Sequence, residues 1–122
     1  MSGEALRRRI LLVEDNVLLA DLMKIDLETE GFQIVGPVGR VNPGMKLATQ
    51  EHLHGAVLDV NLAGEMSFPI AYALRARGLP FVFLTGYDEF DFAPADLRSA
   101  RCFSKPVDFP ELVFALREFA VR

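Results

Sequence analysis

The chain has 122 residues, 51% hydrophobic and 25% charged, the balance of a single globular domain that buries a core without staples. Its formal charge is −4, with 13 Lys and Arg against 17 Asp and Glu, which argues against nucleic acid as a partner because phosphate backbones are held by clustered cations. Cys102 is the one cysteine, so an internal disulfide is excluded; no apolar signal segment opens the chain and no run approaches a membrane span, so a cytoplasmic location away from the membrane is expected.

In chain order, Arg7-Arg8-Arg9 reads as a solvated approach to the first strand, 10–13. A helix is predicted over 16–30, with Leu18, Leu22, Met23 and Ile25 along one side and Gly31 as its stop. A second strand, 32–38, leads to a helix over 42–51, with Asn42 as cap and Pro43 at the first helical position. The third strand, 56–58, precedes a helix over 66–77 ending at Gly78, and the fourth strand occupies 81–84. Residues 86–100 carry Gly86, Pro94 and aromatic residues among acids, a poor helical pattern that predicts a short or mobile fourth helix; Phe90 and Phe92 there read as a partner patch or as rings folded back on the sheet. The fifth strand is 102–103, and the last helix starts at Asp108 with Phe109, Leu112, Val113, Leu116, Phe119 and Ala120 at a period near 3.6. Strands that are continuously apolar and separated by helices imply a parallel sheet covered on both faces.

Ligands of such sheets bind beyond the carboxyl ends of the strands. There the sequence places Glu14-Asp15, Asp59, Thr85-Gly86 and Ser104-Lys105-Pro106. Each has an ordinary reading as a cap, a turn residue or a solvated lysine; together they deliver three carboxylates, a hydroxyl and an ammonium to one edge. Three close carboxylates repel unless a cation joins them, and hard oxygen donors with room for water suit Mg²⁺. A carboxylate beside such a cation is a nucleophile for phosphorus, with Lys105 and Thr85 placed to stabilise charge on the phosphoryl oxygens.

Residues 12–16 (Leu-Val-Glu-Asp-Asn), 58–62 (Leu-Asp-Val-Asn-Leu), Thr85-Gly86 and Lys105-Pro106 resemble the motifs of bacterial response-regulator receiver domains, over roughly residues 8–121. The resemblance implies a flavodoxin-like (βα)5 doubly wound parallel sheet of strand order 2-1-3-4-5, forming one receiver domain over 1–122 with no output domain in this chain. It implies Asp59 as phosphoacceptor, with Thr85 and Lys105 assisting, and Mg²⁺ held by Glu14, Asp15, Asp59 and the main-chain carbonyl of Asn61. It also implies a cis bond before Pro106, autocatalysed phosphorylation and dephosphorylation rather than enzyme turnover, and a sensor histidine kinase or phosphotransfer protein as partner, met on the first helix. Signalling would run through the 86–105 face to a downstream protein.

Two details depart from the common pattern. The family usually has Tyr or Phe three residues before the lysine; Cys102 stands there and reads as a small buried strand residue, so the usual coupling of threonine to a ring is lost. Residues 81–87, Phe-Val-Phe-Leu-Thr-Gly-Tyr, are similar to the Phe-x-Thr-Gly-Tyr signature of a receiver subgroup found largely as stand-alone proteins and associated with kinases of the HWE type. A stand-alone regulator or a phosphate sink is therefore expected. Tyr87 and Cys102 are the switch or gating candidates; Tyr87 either shields the pocket mouth and gates the 88–100 segment or covers apolar surface. Three rival readings stay open: a degenerate receiver acting as a phosphorylation-independent interaction module, an aspartate-nucleophile phosphohydrolase, and a flavin or nucleotide domain. The phosphohydrolase would want an acid where Asn61 stands and a cap domain to enclose its substrate. The nucleotide domain would want glycines in the turn 14–17, where acids repel phosphate.

Overall fold

The structure is a computed structural model that describes residues 7–86 and 93–121; Tyr87, Phe90 and Phe92 lie outside the described residues. In chain order it contains β1 (Arg9–Val13), α1 (Val17–Thr29), β2 (Gln33–Val38), α2 (Val41–Gln50), β3 (Gly55–Asp59), β4 (Asn61–Leu62), β5 (Glu65–Met66), α3 (Phe68–Ala76), β6 (Phe81–Thr85), a 3-10 turn (Ala95–Leu97), β7 (Cys102–Ser104) and α4 (Phe109–Arg117). The main sheet runs β2-β1-β3-β6-β7 with every neighbour parallel, which is the expected 2-1-3-4-5 order when its five strands alone are counted. β4 and β5 form a separate antiparallel hairpin.

Period-two alternation divides the apolar residues between two cores. Leu11, Val13, Ala56, Leu58 and Phe83 face one cluster with Ala48 of α2 and Ile70, Ala71 and Leu74 of α3. Ile10, Leu12, Val57, Val82 and Leu84 face the other, with Met23 and Leu27 of α1 and Leu112, Val113 and Leu116 of α4. Both faces of the sheet are therefore covered, which is why its strands read as unbroken apolar runs.

The helices start and stop for local reasons. The Asn16 side chain caps α1 by accepting from the Leu19 N–H at 3.0 Å, and Gly31 leaves the helix with φ 98°. The buried face of α1 is Ala20, Met23 and Leu27; the expected stripe of Leu18, Leu22 and Ile25 points outward, 71%, 51% and 60% exposed. α1 is apolar on both sides, so composition alone gave no direction for its core face, and Met23 belongs to the opposite side from its predicted companions. α2 has its first helical residue at Val41, two positions before the expected Pro43, with extended Arg40 rather than Asn42 in the cap position and no side-chain cap bond. Pro43 consequently sits within the first turn, where a missing N–H leaves no helical hydrogen bond unmade. α3 begins at Phe68 because Glu65 and Met66 are spent pairing with Leu62 and Asn61. Asp108 caps α4 by accepting from the Glu111 N–H at 3.2 Å, and that helix ends at Arg117, short of Phe119 and Ala120.

Among the described residues of the poorly patterned segment, only the short turn Ala95–Leu97 is helical. Leu97 and Ala93 anchor it in the core beside α3. The Tyr72 hydroxyl donates to Asp96 Oδ1 at 2.7 Å, and Arg75 Nη1 donates to the Asp96 carbonyl at 3.1 Å, tying the turn to α3 from outside.

Candidate functional site

Strand register assembles the site. Val13 pairs with Leu58, so the next residues, Glu14 and Asp59, leave β1 and β3 side by side. Asp59 pairs with Leu84, which puts Thr85 one step beyond, and the Lys105 N–H donates to the Thr85 carbonyl at 2.9 Å. The Lys105–Pro106 bond is cis, and so is Gly36–Pro37, which the sequence did not single out. Gly39 allows the backbone to close over the acid pair: a Cβ there would lie 3.2 Å from Asp15 Cα.

Lys105 Nζ lies 2.9 Å from both Glu14 Oε1 and Asp59 Oδ1. Glu14 Oε2 accepts from the Asn16 N–H at 3.0 Å, so the start of α1 orients that carboxylate. Both carboxylates are buried, whereas Asp15 is exposed. The Thr85 hydroxyl donates to the Gly86 carbonyl at 2.9 Å in this state. Asn61 lines the site, but its side chain is engaged elsewhere, Oδ1 accepting from the Gly64 N–H at 2.7 Å. Cys102 packs beside Phe83 against the α2–α3 cluster, and burial pushes its thiol pKa up, as befits a packing residue.

Electrostatics separate the two buried acids. Burial pushes the Asp59 carboxyl up to about 9, with adjacent Glu14 adding to the rise and Lys105 opposing it. Burial raises Glu14 too, but its contacts with Asp59, Lys105 and the Asn16 N–H outweigh that and hold it below its ordinary value. Lys105 is lowered by burial and raised more by its two carboxylate partners, so it stays charged.

Glu14, Asp15 and Asp59 each offer an oxygen within 4.8 Å of the others. Asp59 Oδ2 is buried with no hydrogen-bond partner among the described residues. An orphaned carboxylate oxygen beside two more carboxylates fits a hard divalent cation with oxygen preference, and Mg²⁺ is such an ion. Asp15, Asp59, Asn61, Ala63, Gly64, Gly86 and Lys105 surround an open cavity of about 320 Å³. The Ala63-Gly64 wall was missed from sequence, although a two-residue stretch before Glu65-Met66 with glycine in second place is a hairpin signal.

No family model matches the chain. The solution structure of SdrG from Sphingomonas melonis Fr1 is 36% identical, with a TM-score of 0.78 over 96% of this chain and 97% of that one. A response regulator receiver protein from Sinorhizobium medicae WSM419 has a TM-score of 0.80 at 19% identity, over 92% of this chain and 93% of that one. A response regulator protein from Burkholderia pseudomallei, whose crystal structure holds a phosphorylated aspartic acid, a calcium ion and citrate, has a TM-score of 0.76 at 21% identity, over 91% of this chain and 67% of that one. These last two share the fold. An uncharacterized transcriptional regulatory protein, YbdJ of Bacillus subtilis (strain 168), is 28% identical over 112 residues, 89% of this chain and 49% of that protein. The chain thus spans about half the length of the curated relatives it matches.

Proposed function

This chain belongs to the receiver-domain family of response regulators, and from that premise we propose that Asp59 accepts a phosphoryl group from the phosphohistidine of a sensor histidine kinase or phosphotransfer protein. The observation that carries the reading is Lys105 Nζ held 2.9 Å from both Glu14 and Asp59 at the carboxyl edge of the sheet, beside a buried Asp59 oxygen without a partner.

In the transfer, an Asp59 carboxylate oxygen bonds to phosphorus as the P–N bond to the donor imidazole breaks. The bonding pair stays on the imidazole nitrogen, which takes up a proton. Lys105 exchanges Asp59 for a phosphoryl oxygen and keeps its hold on Glu14. The Thr85 hydroxyl turns from the Gly86 carbonyl to another phosphoryl oxygen, where it stabilises charge that develops during transfer. Mg²⁺, held by Glu14, Asp15, Asp59 and the Asn61 carbonyl, would neutralise the acid cluster and the incoming phosphoryl charge. Turning Thr85 and Lys105 strains the segments that follow β6 and flank β7, so the 86–105 face carries the signal to a downstream protein. The outward stripe of Val17, Leu18, Leu22 and Ile25 on α1 is the surface for the donor. A cytoplasmic regulator or phosphate sink, as the subgroup resemblance implies, would switch here without a ring at Cys102. An HWE-type kinase is the donor that the Phe-x-Thr-Gly-Tyr resemblance points to.

Incubation with acetyl phosphate and Mg²⁺ is expected to add one phosphoryl group, ~80 Da by intact mass, and EDTA is expected to prevent it. A protein left unmodified by acetyl phosphate and by a panel of autophosphorylated histidine kinases would overturn the reading.

A further inference from the structure

Beyond the expected site residues, one strained residue stands at the mouth of the cavity. β4 and β5 pair Asn61 with Met66 and Leu62 with Glu65, leaving a tip of two residues, Ala63 and Gly64, with φ of 53° and 96°. Ala63 is the one non-glycine with positive φ among the described residues. Tips of this form favour Asn or Asp, then Gly, because a short polar side chain bonds its own backbone in the left-handed region. Gly64 obeys that rule and Ala63 does not. The tip is instead held by the neighbouring Asn61 side chain, through its bond to the Gly64 N–H.

Strain retained beside a reactive group points to a demand that the relaxed residue would not meet. The exposed Ala63 lines the same cavity as Asp59 and Lys105. Aspartate here would add a carboxylate to a rim that already carries Asp15 and Asp59, and would repel an incoming phosphoryl group. Asparagine would relieve the backbone but extend an amide at the opening. Glycine beside Gly64 would loosen the tip. Alanine is the shortest side chain that still stiffens the turn.

We propose that Ala63 is a specificity-determining residue for the phosphoryl donor: its short side chain keeps the opening to Asp59 wide enough for a phosphoryl group carried on a protein's imidazole. A longer residue would restrict access to small acyl phosphates. The proposal rests on the receiver reading.

The test compares Ala63→Asn and Ala63→Gly with the unsubstituted protein, using acetyl phosphate and the fastest donor from a panel of autophosphorylated histidine kinases. Ala63→Asn is expected to raise Tm by about 3 °C, because the new side chain suits the backbone. Its labelling by acetyl phosphate should stay within about twofold while transfer from the kinase falls about tenfold; Ala63→Gly should keep both rates within about twofold. An unchanged ratio of the two donors in Ala63→Asn, or an equal loss with both, would overturn the proposal while leaving Asp59 as acceptor. An unsubstituted protein that neither donor labels would instead remove the receiver reading, and this proposal with it.

Discussion

Asp59→Asn is expected to abolish phosphoryl incorporation and, in EDTA at pH 7, to stabilise the fold by roughly 2 kcal/mol. Asp59 is 1% exposed, one of its carboxylate oxygens lacks a hydrogen-bond partner, and Glu14 lies beside it. Burial therefore holds its pKa at about 9, against 3.8 for the ordinary group. The folded protein keeps this proton to about pH 9, whereas the unfolded chain releases it near 3.8, so ionisation works against folding across that interval. Stability lost through Asp59 grows as pH rises through it. An amide has the same shape and no charge to bury. The Tm of Asp59→Asn minus that of the unsubstituted protein should accordingly increase from pH 5 to about 9 in EDTA and shrink when Mg²⁺ is added, because the cation offsets the buried charge. A difference flat in pH, or a less stable variant, would contradict this account of the acid cluster.

Phe83→Ala is expected to destabilise the protein by about 4 kcal/mol, a large share of the ~5–15 kcal/mol that holds a domain together. Phe83 is fully buried in the α2–α3 cluster and stands in register between Leu58 and Cys102. Its ring meets Phe68 edge-on at 5.9 Å and Phe81 at 5.4 Å, so truncation opens a cavity and breaks two aromatic contacts. The ring also lies one residue before Leu84, the register partner of Asp59, so the loss reaches the strand that delivers Thr85. Urea unfolding measures it through a lower midpoint at unchanged slope. A loss under about 1 kcal/mol would mean that the sheet closes over the void.

Much of this architecture was legible in the sequence because strands covered on both faces must be apolar throughout, and a polar residue after such a run marks its carboxyl end. Glu14, Asp59, Thr85 and Lys105 were found in that way, and parallel register then makes their neighbourhood a geometric consequence. The hairpin at 61–66 left only Gly64 as a local cue, since strands of two residues show no periodicity and alanine is not a residue that announces a left-handed turn. The direction of α1 was hidden because Leu18, Leu22 and Ile25 make as good a stripe as Ala20, Met23 and Leu27; only the sheet decides which faces in. The start of α2 misled for a related reason, as asparagine before proline suits both a cap and a first turn. Sequence also carries no rotamers: the Thr85 hydroxyl resting on the Gly86 carbonyl, and the Asn61 amide committed to Gly64, are results of packing.

The most direct test is to find the atom that carries the phosphoryl group. After reaction with acetyl phosphate and Mg²⁺, borohydride reduction converts an acyl phosphate of aspartate to homoserine, and peptide mass mapping identifies the position. The expected result is homoserine at residue 59 alone, lost in Asp59→Asn. Reduction at Glu14, Asp15 or any other acid while Asp59 stays intact would contradict the central claim.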